Sequence, residues 1–166
     1  MPLEYKKQSL FDAPKHSIII HSCNAQGVWG AGIAAEFKKR YPYSYSGYYE
    51  QCKEDYNVLG TGDLSWNDTR EDHWVGWIIV SSGYGKSLDS QDSINVNTTL
   101  ALFNLCKNIY SYHPKSQTTI TVYSNKFNSG LFGIPWEGTE FILKSVLSHF
   151  PRIKWVVCDP DLKEQT

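Results

Sequence analysis

The chain has 166 residues, of which 41% are hydrophobic and 20% charged, with a formal net charge of −1. That length and apolar content predict one domain over residues 1–166, with enough material for a true core. The near-neutral charge argues against a nucleic-acid partner held by bulk electrostatics, but a small anion can still be held by local amides.

Leu3-Glu4-Tyr5 reads as an edge strand. The opening MPLEYKKQSL lacks the apolar segment of a secretory signal, and no apolar run is long enough to span a bilayer. The expectation is a soluble chain of the cytoplasm or nucleus, without a membrane partner. Ser17–His21 reads as a buried strand, because its apolar residues do not alternate with polar ones. A glycine loop, Gly27 to Gly32, follows. A helix is predicted over Gly32–Arg40, with Ile33 and Phe37 on one face. Pro42 ends it, since proline has no N–H to donate.

Tyr43–Tyr56 is ambiguous, with a short helix expected around Tyr48–Glu54. Leu59-Gly60 is a turn. Trp74–Ser82 is a second strand, running into Gly83-Tyr84-Gly85, and Lys86–Ser93 reads as a polar loop. Asn95–Tyr110 carries an amphipathic helix pattern, with Val96, Leu100, Phe103, Cys106 and Tyr110 as its apolar stripe. Thr118–Tyr123 is a third strand and Phe127–Pro135 a second glycine loop. A helix with Trp136, Glu140, Leu143, Leu147 and Phe150 on one face follows, then a strand at Lys154–Cys158. Alternating strands and helices imply an α/β sandwich around a mixed, largely parallel sheet. Each glycine loop lies between a strand and a helix. Both can therefore sit at the carboxyl edge of one sheet, where such folds bind ligands.

Gly27-Val28-Trp29-Gly30-Ala31-Gly32 is neither a dinucleotide fingerprint nor a Walker A loop. It suits a phosphate or pyrophosphate, or it is simply a tight strand–helix turn. Asn24 can meet a sugar hydroxyl or cap a turn. His21, between a strong strand and the loop, can be a general acid or base, or a hydrogen-bonded, half-buried histidine. In the second loop, Ser129 and Gly130 can offer N–H groups and a hydroxyl to a phosphate, or the segment is a turn capped by Asn128. Phe132 can stack on a sugar or base, or fill the core. Asp89 and Asp92 can orient a histidine or a water. Asp92 can equally be a helix-start acid facing the dipole. The cysteines Cys23, Cys52, Cys106 and Cys158 lie far apart, with no C-x-x-C, which argues against a zinc site or a disulfide framework.

Together, IIIHSCNAQGVWGAGIAAEF and NSGLFGIPWEGTE resemble the two ligand loops of a macrodomain, the ADP-ribose-binding fold. The form H-S-C-N-x-x-G-x-W-G-x-G-I-A with N-S-G-[IL]-F-G-[IV]-P-W is similar to that of the fungal ADP-ribose 1''-phosphate phosphatases. SSGYG is similar to their S-S-F-G segment. The resemblance runs from Tyr5 to Trp155. It implies a three-layer α/β/α sandwich with a mixed central sheet and a ligand cleft on the sheet crest. It implies a monomeric, metal-independent phosphoric monoester hydrolase without cofactor. The small-molecule ligand would be ADP-ribose or ADP-ribose 1''-phosphate, a metabolite arising downstream of tRNA splicing.

By the same resemblance, Gly27, Trp29, Gly30, Ala31, Gly32 and Ile33 wrap the distal ribose and diphosphate. Ser129, Gly130, Leu131, Phe132 and Gly133, opened by Asn128, hold the diphosphate from the other side. Asn24 faces the distal ribose, and His21 is implicated in catalysis. Asp92 is its candidate partner on the reading of the residues alone. Many macrodomains carry an Asp on the adenine where this chain has Ser9. Ser9 and Leu10 are therefore expected at the adenine, with Phe132 or Trp136 stacking on it. The N-A-A-N and G-G-G pattern of mono-ADP-ribosyl hydrolases is absent, with Ala31 at the central glycine and Gln26 near the second Asn. The alternatives are another route of ADP-ribosyl hydrolysis on protein, and a non-catalytic ADP-ribose reader.

Overall fold

The computed structural model describes residues 3–65, 71–115 and 117–163. Trp66 lies outside them. Among the described residues, six strands form one sheet: β1 (Leu3–Lys6), β2 (Ile18–Asn24), β3 (Gly62–Leu64), β4 (Trp74–Ser81), β5 (Ile120–Ser124) and β6 (Ile153–Cys158). Among the same residues four α-helices cover it: α1 (Gly32–Arg40), α2 (Pro42–Glu54), α3 (Gln91–Tyr112) and α4 (Trp136–Leu147). The strand order is β1-β6-β5-β2-β4-β3. All neighbouring pairs are parallel except β3 with β4. The carboxyl ends of β2, β4 and β5 therefore lie side by side on one crest, and both glycine loops leave from it.

The period-two alternation of β2 decides which layer each of its residues meets. Ile18 and Ile20 enter the core beneath α3 and α4. Ile19 and Cys23 enter the core beneath α1 and α2. His21 shares their parity and goes the same way. Ser22 turns to the opposite face, where its hydroxyl accepts from Asn128 N at 3.2 Å.

Three expectations need correction. Pro42 ends α1 but also opens α2, occupying the first helical position, where a missing N–H costs nothing. The second helix is thus 13 residues long rather than a short helix around Tyr48–Glu54. In α3, Val96 and Leu100 are 60% and 55% exposed. The buried stripe is instead Ile94, Thr98, Ala101, Leu105 and Ile109, with Leu102 and Cys106 beside it. Small Ala101 and Thr98 let the helix approach the sheet closely. A Cβ at Gly62 would stand 2.5 Å from Ala101 O. The polar segment before this helix is partly helical as well. α3 begins at Gln91, capped by Ser90, whose hydroxyl accepts from Ser93 N at 3.2 Å. Finally, β3 was not foreseen. Three residues are too short for a periodic signal, yet they make the sheet mixed.

Candidate functional site

The first glycine loop hangs on Asn24, just beyond an irregularity in the β2–β4 register between Cys23 and Asn24. Asn24 Oδ1 accepts from Gln26 N at 2.9 Å and from Val28 N at 3.4 Å. Its Nδ2 donates to Val28 O at 2.8 Å. Tyr48 hydroxyl donates to Asn24 O at 2.5 Å and lies 3.1 Å from Oδ1. Tyr45 hydroxyl donates to Gly27 O at 2.8 Å. Asn24 is thus the pin of the loop rather than an open hydrogen-bonding group, and α2 supplies the tyrosines that hold it. Gly27 has φ +76°, and a Cβ there would lie 3.2 Å from the Tyr49 ring, so glycine is needed twice over.

The loop ends at α1, whose N-cap, Ala31, has no capping side chain. Gly30, Ala31 and Gly32 are exposed, and Ile33 is half-buried. The first turn of α1 therefore presents uncapped N–H groups, with no acidic residue in it. That arrangement favours an anion.

The second loop faces it. Asn128 has φ +68° and Gly133 φ +65°. Asn128 is buried. Its Nδ2 donates to Thr98 Oγ1 at 2.9 Å and its carbonyl accepts from Ile134 N at 2.8 Å. Asn128 therefore ties the loop to α3. Ser129 Oγ is buried without a hydrogen-bond partner, as is Asn128 Oδ1. Gly130 is exposed, with open space around its Cβ direction. Leu131 is 72% exposed, and its Cδ1 stands 3.2 Å from where a Cβ of Gly32 would be. The two loops meet at that contact, as their placement between strand and helix predicted.

His21 is not in the cleft. It has no solvent exposure. Its ring stacks on Phe37 at 3.9 Å with a 10° tilt and meets Trp29 edge-on at 4.5 Å. Cys23 Sγ is 3.7 Å from both ring nitrogens. Burial lowers the imidazole from 6.5 to about 3, so the ring is neutral at physiological pH. The expected cleft-facing imidazole titrating near neutrality is thus corrected: strand parity sends the ring under α1. Trp29 is likewise 1% exposed, stacked on Tyr48 at 4.9 Å, and supports the loop from below.

At the β1 side of the crest, Ser9 caps a 3-10 turn at Leu10–Asp12, accepting from Phe11 N at 3.3 Å. Leu10 is buried in the core beneath α1, so only its backbone remains for a ligand. Trp136 opens α4. Its Nε1 donates to Tyr5 hydroxyl at 2.8 Å, and its ring packs edge-on against Phe127. Tyr5 in turn bonds Glu140. Phe132 is half-buried against the α3–α4 core. Asp92 is exposed in the first turn of α3. Asp89 is occupied, its carboxylate accepting from Ser82 N at 2.7 Å and from Ser82 hydroxyl. Among the described residues, no group of three His, Cys, Asp or Glu could hold a metal ion.

Sequence reasoning passed over the scaffold beneath the loop. Tyr41, Tyr45 and Tyr48 recur at helical steps of four and three, a stripe that could have assigned α2 and its hydroxyls to the glycine loop. It also passed over Gln26, whose Nε2 donates to Ser82 O at 2.9 Å and ties the first loop to the one after β4.

The Macro domain family model matches residues 20–143. Among curated relatives, the ADP-ribose 1''-phosphate phosphatase of Meyerozyma guilliermondii is 34% identical, covering 86% of this chain and 92% of its own. The protein of the same name from Aspergillus oryzae is 30% identical, covering 81% and 84%. Among solved structures, the macrodomain of Mycobacterium tuberculosis DarG superposes with a TM-score of 0.78 at 21% identity, covering 96% and 98%. The matched span takes in both glycine loops and the carboxyl ends of β2, β4 and β5 that carry the crest, and the chain belongs to the Macro domain family.

Proposed function

We infer that this chain is an ADP-ribose 1''-phosphate phosphatase, hydrolysing the terminal phosphate to give ADP-ribose and inorganic phosphate. The observation that carries the reading is the meeting of two glycine loops at one crest. An uncapped helix start lies on one side, and a buried, unpartnered serine hydroxyl on the other. Such a cleft suits a diphosphate, which needs N–H donors rather than bulk positive charge. Relatives that carry this name are 30% and 34% identical over most of the chain.

In this reading Gly30–Ile33 and Ser129–Gly133 bind the diphosphate. Asn24 keeps the first loop in shape, and Ser9 with the Leu10 backbone meets the adenine. Water attacks phosphorus, the bond from phosphorus to the distal-ribose oxygen breaks, and that oxygen takes up a proton. Asp92, at the crest end of α3, is the base we propose for the water. His21 acts as a positioning residue beneath the loop. The chain works as a monomer in the cytoplasm, in keeping with four free cysteines.

One observation favours a second reading. The imidazole that marked this sequence as an enzyme is buried and neutral, which a non-catalytic ADP-ribose reader would tolerate. Incubation of the pure chain with ADP-ribose 1''-phosphate, assayed for free phosphate, separates the two. Release that is unchanged by a chelator supports the metal-independent phosphatase. ADP-ribose binding without release supports the reader.

A further inference from the structure

We propose that the recess beside the first glycine loop holds the terminal phosphate of the substrate, with Lys86 as its counter-cation. This deepens the phosphatase reading and rests on it. The recess has a volume of about 510 Å³ and is lined by Gln26, Gly83, Tyr84, Gly85, Lys86 and Ser87. It stands at the carboxyl end of β4, on the crest that carries both glycine loops. The Gln26 bond to Ser82 O joins its wall to the first loop.

The segment is built to hold this shape. At Gly83 a Cβ would lie 2.5 Å from Ser87 O, so the chain doubles back on itself there. Gly85 has φ +59° and opens a short 3-10 turn, Gly85–Ser87. Ser81 hydroxyl donates to Gly83 O at 2.7 Å, and Asp89 N donates to Ser81 Oγ at 3.2 Å. The Asp89 carboxylate takes both Ser82 donors, so the loop's own acid is occupied by Ser82. Among the described residues Lys86 makes no ion pair. Tyr84 and Ser87 add exposed hydroxyls beside it.

A cation and two hydroxyls on a rigid, glycine-opened turn suit a phosphomonoester. Such a group carries close to two charges at neutral pH and accepts through three oxygens. A diphosphate alone would have no use for this recess, since the two glycine loops already serve it. The subsite would thus separate ADP-ribose 1''-phosphate from ADP-ribose, which lacks the terminal group.

The test is Lys86→Met, with Lys86→Arg beside it, in the intact chain. ADP-ribose affinity is measured by calorimetry, and the KM for ADP-ribose 1''-phosphate by phosphate release. Lys86→Met is expected to raise that KM about tenfold while ADP-ribose affinity stays within about twofold. Lys86→Arg should restore most of the loss, and the thermal midpoint should not move for either variant. Equal weakening of both ligands, no weakening of either, or a fall in kcat at constant KM overturns the subsite. If the unaltered chain releases no phosphate, the phosphatase reading fails separately. ADP-ribose 1''-phosphate is then a stable ligand whose Kd reads the subsite directly: a selective loss in Lys86→Met upholds it, and an equal Kd for both variants overturns it.

Discussion

Replacing His21 with phenylalanine tests what the imidazole does. The ring is fully buried, stacked at 3.9 Å on Phe37 and edge-on to Trp29 at 4.5 Å. Phenylalanine keeps that stack and removes the titration. In the folded chain burial holds the imidazole at about 3, against 6.5 when exposed. The contribution of the neutral ring is therefore complete above pH 6.5 and is lost as pH falls toward 3. Over that window the unfolded chain takes up a proton that the folded chain refuses. Each pH unit then costs the wild type about 1.4 kcal/mol, and the whole interval costs no more than about 5 kcal/mol. Urea unfolding from pH 7 down to pH 4.5 should show the wild type losing stability faster than His21→Phe by that slope. Phosphate release at pH 7, per folded molecule, should differ by less than about tenfold, because the ring does not reach the cleft. Parallel stability curves would refute the buried, neutral state. A loss of about 100-fold or more in folded His21→Phe would return the imidazole to proton transfer.

Gly130→Glu should fold normally, since a Cβ there meets nothing within 4 Å, yet ADP-ribose binding by calorimetry should vanish as a carboxylate enters the anion site. Ser129→Ala removes a buried hydroxyl that has no partner in the protein. Its stability should change by less than about 0.5 kcal/mol, while ADP-ribose affinity falls about tenfold through loss of one hydrogen bond. Tyr48→Phe deletes the hydroxyl on Asn24 O and Oδ1. Chemical denaturation should report a loss of about 1–3 kcal/mol, with weaker ADP-ribose binding as the first loop loosens.

Residues whose role follows from local pattern were legible in the sequence. Ile18–Ile20 is a continuous apolar run, Gly32–Arg40 begins at the last loop glycine and stops before Pro42, and glycine spacing marks both loops. Each of these was assigned within a few residues of its observed bounds. The shared crest also followed, because strand–loop–helix units in a parallel sheet send every such loop to one edge. The α3 stripe was misread because periodicity was scored on large side chains. Two of the chosen residues, Val96 and Leu100, face solvent, while Ala101 and Leu105 make the close approach to Gly62.

The site divides in the same way. Glycines, Ser129 and Asn128 belong to the loops themselves, so the path of the chain at the crest positions them. His21 and Trp29 carry chemistry in their side chains, and a side chain's direction depends on a count that a motif does not display. Ile19, His21 and Cys23 share one face of β2, and α1 with α2 covers that face completely. A histidine one position further along, at Ser22, would have turned toward the loop that Asn128 opens. The parity of a single residue thus decides whether an imidazole at this strand end is a reagent or a support. The same parity leaves the cleft to be built from backbone N–H groups and hydroxyls. Specificity then falls to side chains on the third loop, after β4, where Lys86, Tyr84 and Ser87 line open space.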